Sequence, residues 1–156
     1  MENLTPIALG SDHAGYALKE FIKAYLIDLN LEVDDCGTLS EDSVDYTDFG
    51  IRVAQKVAAG DFNRGILICG TGLGMSMVAN RFKYVRAALC HDIFSAMMSR
   101  RHNDSNILVL GGRVIGSELA REIVQTWLKT PFENGRHQKR IEKFDTIPCN
   151  SRSDNA

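Results

Sequence analysis

Short apolar runs recur along this chain at residues 7–10, 31–36, 65–69, 85–90 and 107–110, each four to six residues long and bounded by turn or charged residues. Runs of that length suit strands buried on both faces of a parallel sheet. Between them the period of the apolar positions changes. Leu18, Phe21, Ile22, Tyr25 and Leu29 are spaced by three and four and form one helical stripe. Phe49, Val53 and Val57 do the same, as do Leu119, Ile123, Val124, Trp127 and Leu128. Shorter helices are predicted over 73–82 and 93–101, where Met75, Met97 and Met98 read as core filling. After Pro131 a last, mostly polar helix is predicted over about 135–144. Strand–helix alternation with short links predicts an α/β fold: a doubly wound, Rossmann-like five-stranded parallel sheet with helices on both faces and a C-terminal helix. One domain is expected over 1–149, with a polar tail at 150–156.

Composition narrows the class. The chain has 156 residues, 44% of them hydrophobic and 24% charged, enough for one proper core and against disorder. A net charge of −2 excludes a globally basic surface for nucleic acid, so any anion site must be local. No apolar run approaches the ~20 residues needed to span a bilayer. The stretch from Met1 to Pro6 lacks the basic and apolar regions of a signal peptide. Cys36, Cys69, Cys90 and Cys149 form no CxxC pair and no metal-ligand rhythm with histidine. Free thiols in a reducing cytoplasm are the simpler expectation.

In doubly wound sheets ligands bind beyond the carboxyl ends of the strands, so the loops there carry the chemistry. The first strand runs into Gly10-Ser11-Asp12-His13-Ala14-Gly15. Asp12 reads either as a ligand or as a cap for the following helix; a cap does not account for His13. The third strand runs into Cys69-Gly70-Thr71-Gly72-Leu73-Gly74. Three glycines in five residues let the backbone turn sharply and aim several N–H groups at one point, ahead of a helix N-terminus. The anion received there is a phosphate or an oxyanion formed during reaction. The dinucleotide fingerprint fails, because its last glycine falls on Met75 or Met77, and no lysine is present for a nucleoside-triphosphate loop. A thiol in front of a helix N-terminus is favoured as thiolate, which makes Cys69 a candidate base; the alternative is a buried structural cysteine, the reading given to Cys36, Cys90 and Cys149.

Arg100-Arg101-His102-Asn103-Asp104-Ser105-Asn106 is too polar for a plain connection into a buried strand. It lies at the amino edge of the fifth strand, away from the Cys69 loop of its own chain, so either the preceding helix carries it toward the ligand face or, as the preferred expectation, it serves a neighbouring subunit's site. In the final helix Arg136 and Arg140 stand four apart and share a face able to clamp one phosphate; a solvated charged face is the alternative. Arg113, just after the fifth strand, is a further basic residue at a carboxyl edge.

Taken in order, Gly10-Ser11-Asp12-His13, Cys69 to Gly74, Arg101-His102-Asn103-Asp104 and Gly135-Arg136-His137-Gln138-Lys139-Arg140 resemble the ribose-5-phosphate isomerase B and galactose-6-phosphate isomerase subunit family, over about residues 6–145. The resemblance implies interconversion of ribose 5-phosphate and ribulose 5-phosphate, a pentose phosphate pathway reaction, without metal or organic cofactor. It implies Cys69 as the base that moves a proton between C2 and C1 through an enediolate. The N–H groups of Gly70, Thr71, Gly72, Leu73 and Gly74 would hold the developing oxyanion, with the Thr71 hydroxyl nearby. His102 is similar to the ring-opening group. Asp12, Asn103 and Tyr46 would face the sugar, and His13, Arg113, Arg136 and Arg140 the phosphate, some of them from a second subunit. A homodimer or dimer of dimers is implied as the assembly.

Some members of that family place the base on a glutamate of the glycine-rich loop; Met75 at that position here points to the cysteine branch. Ser11 stands where many relatives have cysteine. Other phosphosugars remain open as substrates, among them allose 6-phosphate, galactose 6-phosphate and a tetrose phosphate, as does a non-catalytic phosphosugar-binding domain.

Overall fold

The computed structural model describes residues 5–148; Cys149 and the polar tail lie outside the described residues. Its elements follow the order β1 (Ile7–Ser11), α1 (Tyr16–Asp28), β2 (Val33–Asp35), α2 (Tyr46–Ala58), β3 (Arg64–Cys69), α3 (Leu73–Ala79), β4 (Ala87–Leu89), α4 (Ile93–Asn103), β5 (Ile107–Gly111), α5 (Ser117–Lys129) and α6 (Arg136–Ile141), then a 3-10 turn at Phe144–Thr146. The five strands form one parallel sheet in the order β2-β1-β3-β5-β4. The predicted fold class is the observed one.

Side chains alternate across the sheet, and each face has its own core. Ile7, Leu9, Ile66, Ile68, Leu108 and Leu110 pack against α1, α4 and α5, with Trp127 fully buried among them. Ala8, Leu67, Cys69, Ile107 and Val109 pack on the other face against α2 and α3. The order in which strands are added to the sheet switches between β1 and β3, whose loops leave toward opposite faces, so a crevice opens at their carboxyl ends.

Edge strands are shorter than their apolar runs. Leu31 closes the exit of α1, donating its N–H to the Leu26 carbonyl after a left-handed Asn30, so β2 begins only at Val33. Val85 is used the same way, bonding back to Phe82 beyond a left-handed Tyr84, and β4 begins at Ala87. The third helix stops at Ala79 because the Asn80 side chain bonds the Ser76 carbonyl and both backbone groups of Ala87. Conversely α4 continues to Asn103, past its predicted end at 101, and α6 ends at Ile141, short of its predicted end at 144. Met75 is fully buried, as core filling requires; Met97 and Met98 are half-buried.

One buried charge lies outside the apolar stripe of α1. Lys19 is fully buried, with Nζ 2.5 Å from Glu20 Oε1 and 2.6 Å from Asp35 Oδ2. Lys23 reaches the same Asp35 oxygen at 2.8 Å, while Asp35 Oδ1 accepts the Gly37 N–H at 3.0 Å. This network ties α1 to the end of β2 and to the loop that follows. Burial raises the Asp35 carboxyl, but hydrogen bonds from Lys19 and Lys23 outweigh it and hold the group below its ordinary value of 3.8. The Lys19 hydrogen bond likewise lowers Glu20 from 4.5. Both carboxylates therefore add stability at neutral pH that is lost as pH falls through their depressed folded values. Asp35→Asn leaves Lys19 short of a buried partner and should cost about 2 kcal/mol or more at pH 7. Urea midpoints measured from pH 6 down to about 3 should fall less steeply in the variant than in the wild type, because one of the two linked protonations is gone.

Candidate active site

The carboxyl ends of β1 and β3 bring together the acid, the imidazole and the thiol named from sequence. Asp12 leaves β1 buried and its Oδ1 accepts the N–H of Gly15 at 3.0 Å, closing the turn before α1; the N-cap of α1 is Gly15 itself, so Asp12 is not the helix cap. His13, next along, accepts the Val44 N–H on Nδ1 at 3.1 Å. With Nδ1 an acceptor, the ring proton sits on Nε2, which becomes a fixed donor. Val44 belongs to the loop anchored by Asp35, and two residues later Tyr46 opens α2. The Tyr46 ring lies against the glycine turn: a methyl group on Gly74 would come within 2.6 Å of its Cε2 and 3.1 Å of its hydroxyl.

Cys69 ends β3 on the α2 and α3 face, 5% exposed. Its sulfur accepts the Gly72 N–H at 3.2 Å. Gly72 caps α3 with φ of +79°, and a methyl group there would approach the Leu110 carbonyl carbon to 3.1 Å. The Thr71 hydroxyl accepts the Leu73 N–H at 3.3 Å, leaving its own proton to donate outward. Among the described residues, the Gly70, Thr71 and Gly74 N–H groups have no hydrogen-bond acceptor. Arg113 reaches back over this turn, its side chain beside Gly70, while the Arg113 N–H donates to the Gly70 carbonyl at 2.9 Å. Arg113 and Thr71 are exposed, and Tyr46 is 41% exposed, so the crevice is open to a ligand.

The remaining predicted residues stand at the opposite pole. His102 and Asn103 form the last turn of α4, four residues before β5 begins at the amino edge of the sheet. Residue 133 joins them there: the Glu133 N–H donates to the Arg101 carbonyl at 3.1 Å, and α6 follows directly. His102 stacks on His137 with ring centroids 4.2 Å apart and planes 11° from parallel. Glu133 Oε2 lies 3.9 Å from His102 Nε2 and 3.7 Å from His137 Nε2. Arg136 and Arg140, exposed on α6, have no acidic partner among the described residues.

His137 and Glu133 are absent from the residues picked out by sequence as site residues. The signal available was an acid and a histidine four apart, the second of them between the two arginines. Burial, then repulsion from His102 and Arg136, holds the His137 imidazole below its ordinary value, with Glu133 opposing. The ligand atoms of His102, Glu133 and His137 lie within 4.8 Å of one another, the spacing of a metal triad. Arg101 Nε, however, is 3.7 Å from Glu133 Oε1, and the Arg136 and Arg140 charges act on His137. A divalent cation would enter a field of guanidinium groups, so the cluster suits an anion better.

The thiols at Cys36, Cys69 and Cys90 are free. Burial, the largest influence, pushes the Cys90 thiol up to about 11 and also raises Cys36, which fits structural roles for both. No helix among the described residues is long and apolar enough to cross a membrane.

These features define a doubly wound α/β protein whose switch-point crevice holds a buried thiol in a glycine turn, beside an acid and an imidazole. The chain belongs to the Ribose/Galactose Isomerase family, whose model matches residues 7–144, and it is an enzyme of the isomerase class. It is 48% identical over 141 residues to ribose-5-phosphate isomerase B of Escherichia coli, covering 90% of this chain and 95% of that one. A solved ribose 5-phosphate isomerase of Thermotoga maritima superposes with a TM-score of 0.89 at 52% identity, covering 92% of this chain and 99% of that one. A Clostridium 4-deoxy-4-sulfo-D-erythrose isomerase is 43% identical over 137 residues, covering 87% of this chain and 86% of that one.

Gly72→Ala tests the turn independently of any substrate. The left-handed conformation and the Leu110 contact should together cost more than about 1–2 kcal/mol, read as a lowered thermal midpoint.

Proposed function

We propose that this chain interconverts ribose 5-phosphate and ribulose 5-phosphate with Cys69 as the base. The observation that carries the reading is the Gly72 N–H on the Cys69 sulfur, at the switch point and beside amides of the same turn that have no acceptor. In the open-chain aldose the Cys69 thiolate takes the C2 proton. The released electron pair forms the C1–C2 double bond, and the carbonyl pair moves onto O1. Returning the proton to C1, while the O2 hydroxyl gives up its proton and O1 ends protonated, leaves the ketone at C2. The negative charge developing on oxygen faces the free N–H groups of Gly70, Thr71 and Gly74 with the Thr71 hydroxyl, donors fixed before reaction begins. Asp12 and Tyr46 position sugar hydroxyls, and His13 Nε2–H with Arg113 meets the phosphate.

Ring opening and the rest of the phosphate grip are assigned to His102, Asn103, Arg136 and Arg140 of a second copy of the chain. Five residues of strand separate the two poles by about 17 Å, more than a pentose phosphate can bridge. Leu39, Leu73, Met77, Phe94 and Val114 are exposed on loops and helix faces near the carboxyl edge, an apolar surface suited to covering by that copy. A homodimer, alone or within a dimer of dimers, working in a reducing compartment such as the cytoplasm, fits this arrangement and the free thiols. The Clostridium relative supports a second reading, a four-carbon substrate carrying a tetrahedral oxyanion, which the same arginines can hold.

Cys69→Ala should lose about a thousandfold or more in kcat with little change in KM, because the base acts only in the transition state. Retention of more than about a tenth of wild-type turnover removes Cys69 from the role. Assays with ribose 5-phosphate beside a tetrose derivative separate the two substrates. His102→Asn should be impaired on the cyclic sugar and near normal on an open-chain one. Mixing and reassembling Cys69→Ala with His102→Asn should restore up to about a quarter of wild-type activity, since one site in each mixed dimer is intact. No recovery on mixing would mean that one chain supplies both residues.

A further inference from the structure

We infer that His91 is a positioning residue for Cys69, acting through the peptide that joins Thr71 to Gly72. The inference rests on the reading of Cys69 as base. His91 follows β4 at the carboxyl edge, directly before Asp92, which caps α4 by accepting the Ser95 N–H at 2.7 Å. Its Nε2 is buried and has no hydrogen-bond partner, an uncommon state for a polar atom in a folded interior. That nitrogen faces Gly111, the last residue of β5, and it does not face it alone. A methyl group on Gly111 would lie 2.9 Å from His91 Nε2 and 2.7 Å from the Thr71 carbonyl oxygen. The imidazole edge and the carbonyl thus line one small space over the Gly111 Cα, and only a hydrogen atom there leaves them free to meet.

The carbonyl belongs to the peptide unit whose other end, the Gly72 N–H, is bonded to the Cys69 sulfur. A peptide is planar, so its C=O and N–H groups turn together. A small rotation of the ring lets His91 Nε2–H donate to the Thr71 oxygen. That bond fixes the plane, and by polarising the amide it strengthens the N–H directed at sulfur. The charged groups nearby are Asp92, beside the ring, and Arg113, against Gly70. The facing helix, Leu-Gly-Met-Ser-Met-Val-Ala, adds none. His91 touches neither substrate nor reacting atoms in this arrangement; it holds the donor that holds the thiolate.

The test uses three variants of the full chain. His91→Phe keeps the ring shape without a donor, His91→Gln places an N–H close to the Nε2 position, and His91→Asn is polar but too short. Thiolate at Cys69 is read from the rate of its alkylation by iodoacetamide against pH, followed by the mass of the peptide that carries Cys69. Phe and Asn should each move the midpoint of that profile up by about one pH unit and lower kcat about tenfold, with KM within about twofold. Gln should recover most of both effects. An unchanged profile in Phe and Asn overturns the inference, and so does a Gln variant as impaired as Phe, which would mean packing alone. If Phe does not fold, the contrast between Gln and Asn decides. Failure of Cys69 as base appears separately, as activity in Cys69→Ala, whereas the alkylation profile reads the sulfur whatever its role.

Discussion

The register of the three central strands is the constraint from which the crevice follows. Ser11 pairs with Ile68 and Cys69 with Gly111, so the ends of β1, β3 and β5 lie level. Alternation then sends Ile66 and Ile68 into one core and Leu67 and Cys69 into the other. A slip of one residue in β3 would exchange every side chain between cores of different shape and turn the sulfur toward α1. Both faces carry full apolar loads, so such a slip is opposed along the whole strand. The thiol inherits its place from core packing, and the loops are built around a point already fixed.

Support for the crevice passes outward from that point in two short chains of contact. In one, Gly72 in its left-handed conformation turns the backbone so that an amide faces the sulfur, and the Leu89 side chain with the Leu110 carbonyl crowds the place a side chain would take. In the other, the buried Lys19–Asp35 pair anchors the residues leaving β2, whose loop delivers the Val44 amide to His13 and the Tyr46 ring to Gly74. A buried ion pair is a weak device for stability, because desolvation offsets much of its attraction. Its worth here is directional, since it fixes where the loop at the crevice's edge begins. Preorganised donors lower a barrier only if they need not move during reaction, and both chains end in such donors.

Much of this was legible in the sequence, for identifiable reasons. Five short apolar runs separated by amphipathic periods fix the class of fold, because strand and helix periods differ. The glycine turn and the Asp12-His13 pair stand out because neither suits a plain connection. What depends on distant contacts was hidden. Leu31 and Val85 look like strand residues, but helix exits use them first. Lys19 reads as a polar position of α1, and only the folded chain brings Asp35 to it. His13 and Val44 are far apart in sequence, and nothing local in either announces their hydrogen bond. Stacking of His137 on His102 needs α6 folded back on α4, a long-range docking that a six-residue helix does not advertise. Strand order was also out of reach, because β4 pairs outside β5 although it precedes it in the chain.

Separation of the thiol from the second histidine is the least intuitive feature, and symmetry accounts for it under the proposed two-copy reading. A two-fold pair brings surface i of one chain to surface j of the other, and j to i. If i is the carboxyl edge with Cys69 and j is the amino edge with His102 and α6, one contact mode completes two sites at once. The copies must then lie with their sheets running in opposite directions, since only that orientation sets a carboxyl edge beside an amino edge twice. Under that reading each chain would keep its base within its own rigid strand register and lend its partner the exposed His102 and the arginines of a helix end. The divide would then follow the tightness of geometry each task demands: proton transfer at carbon would be held by one core, and ring opening with phosphate recognition would be left to the contact between two.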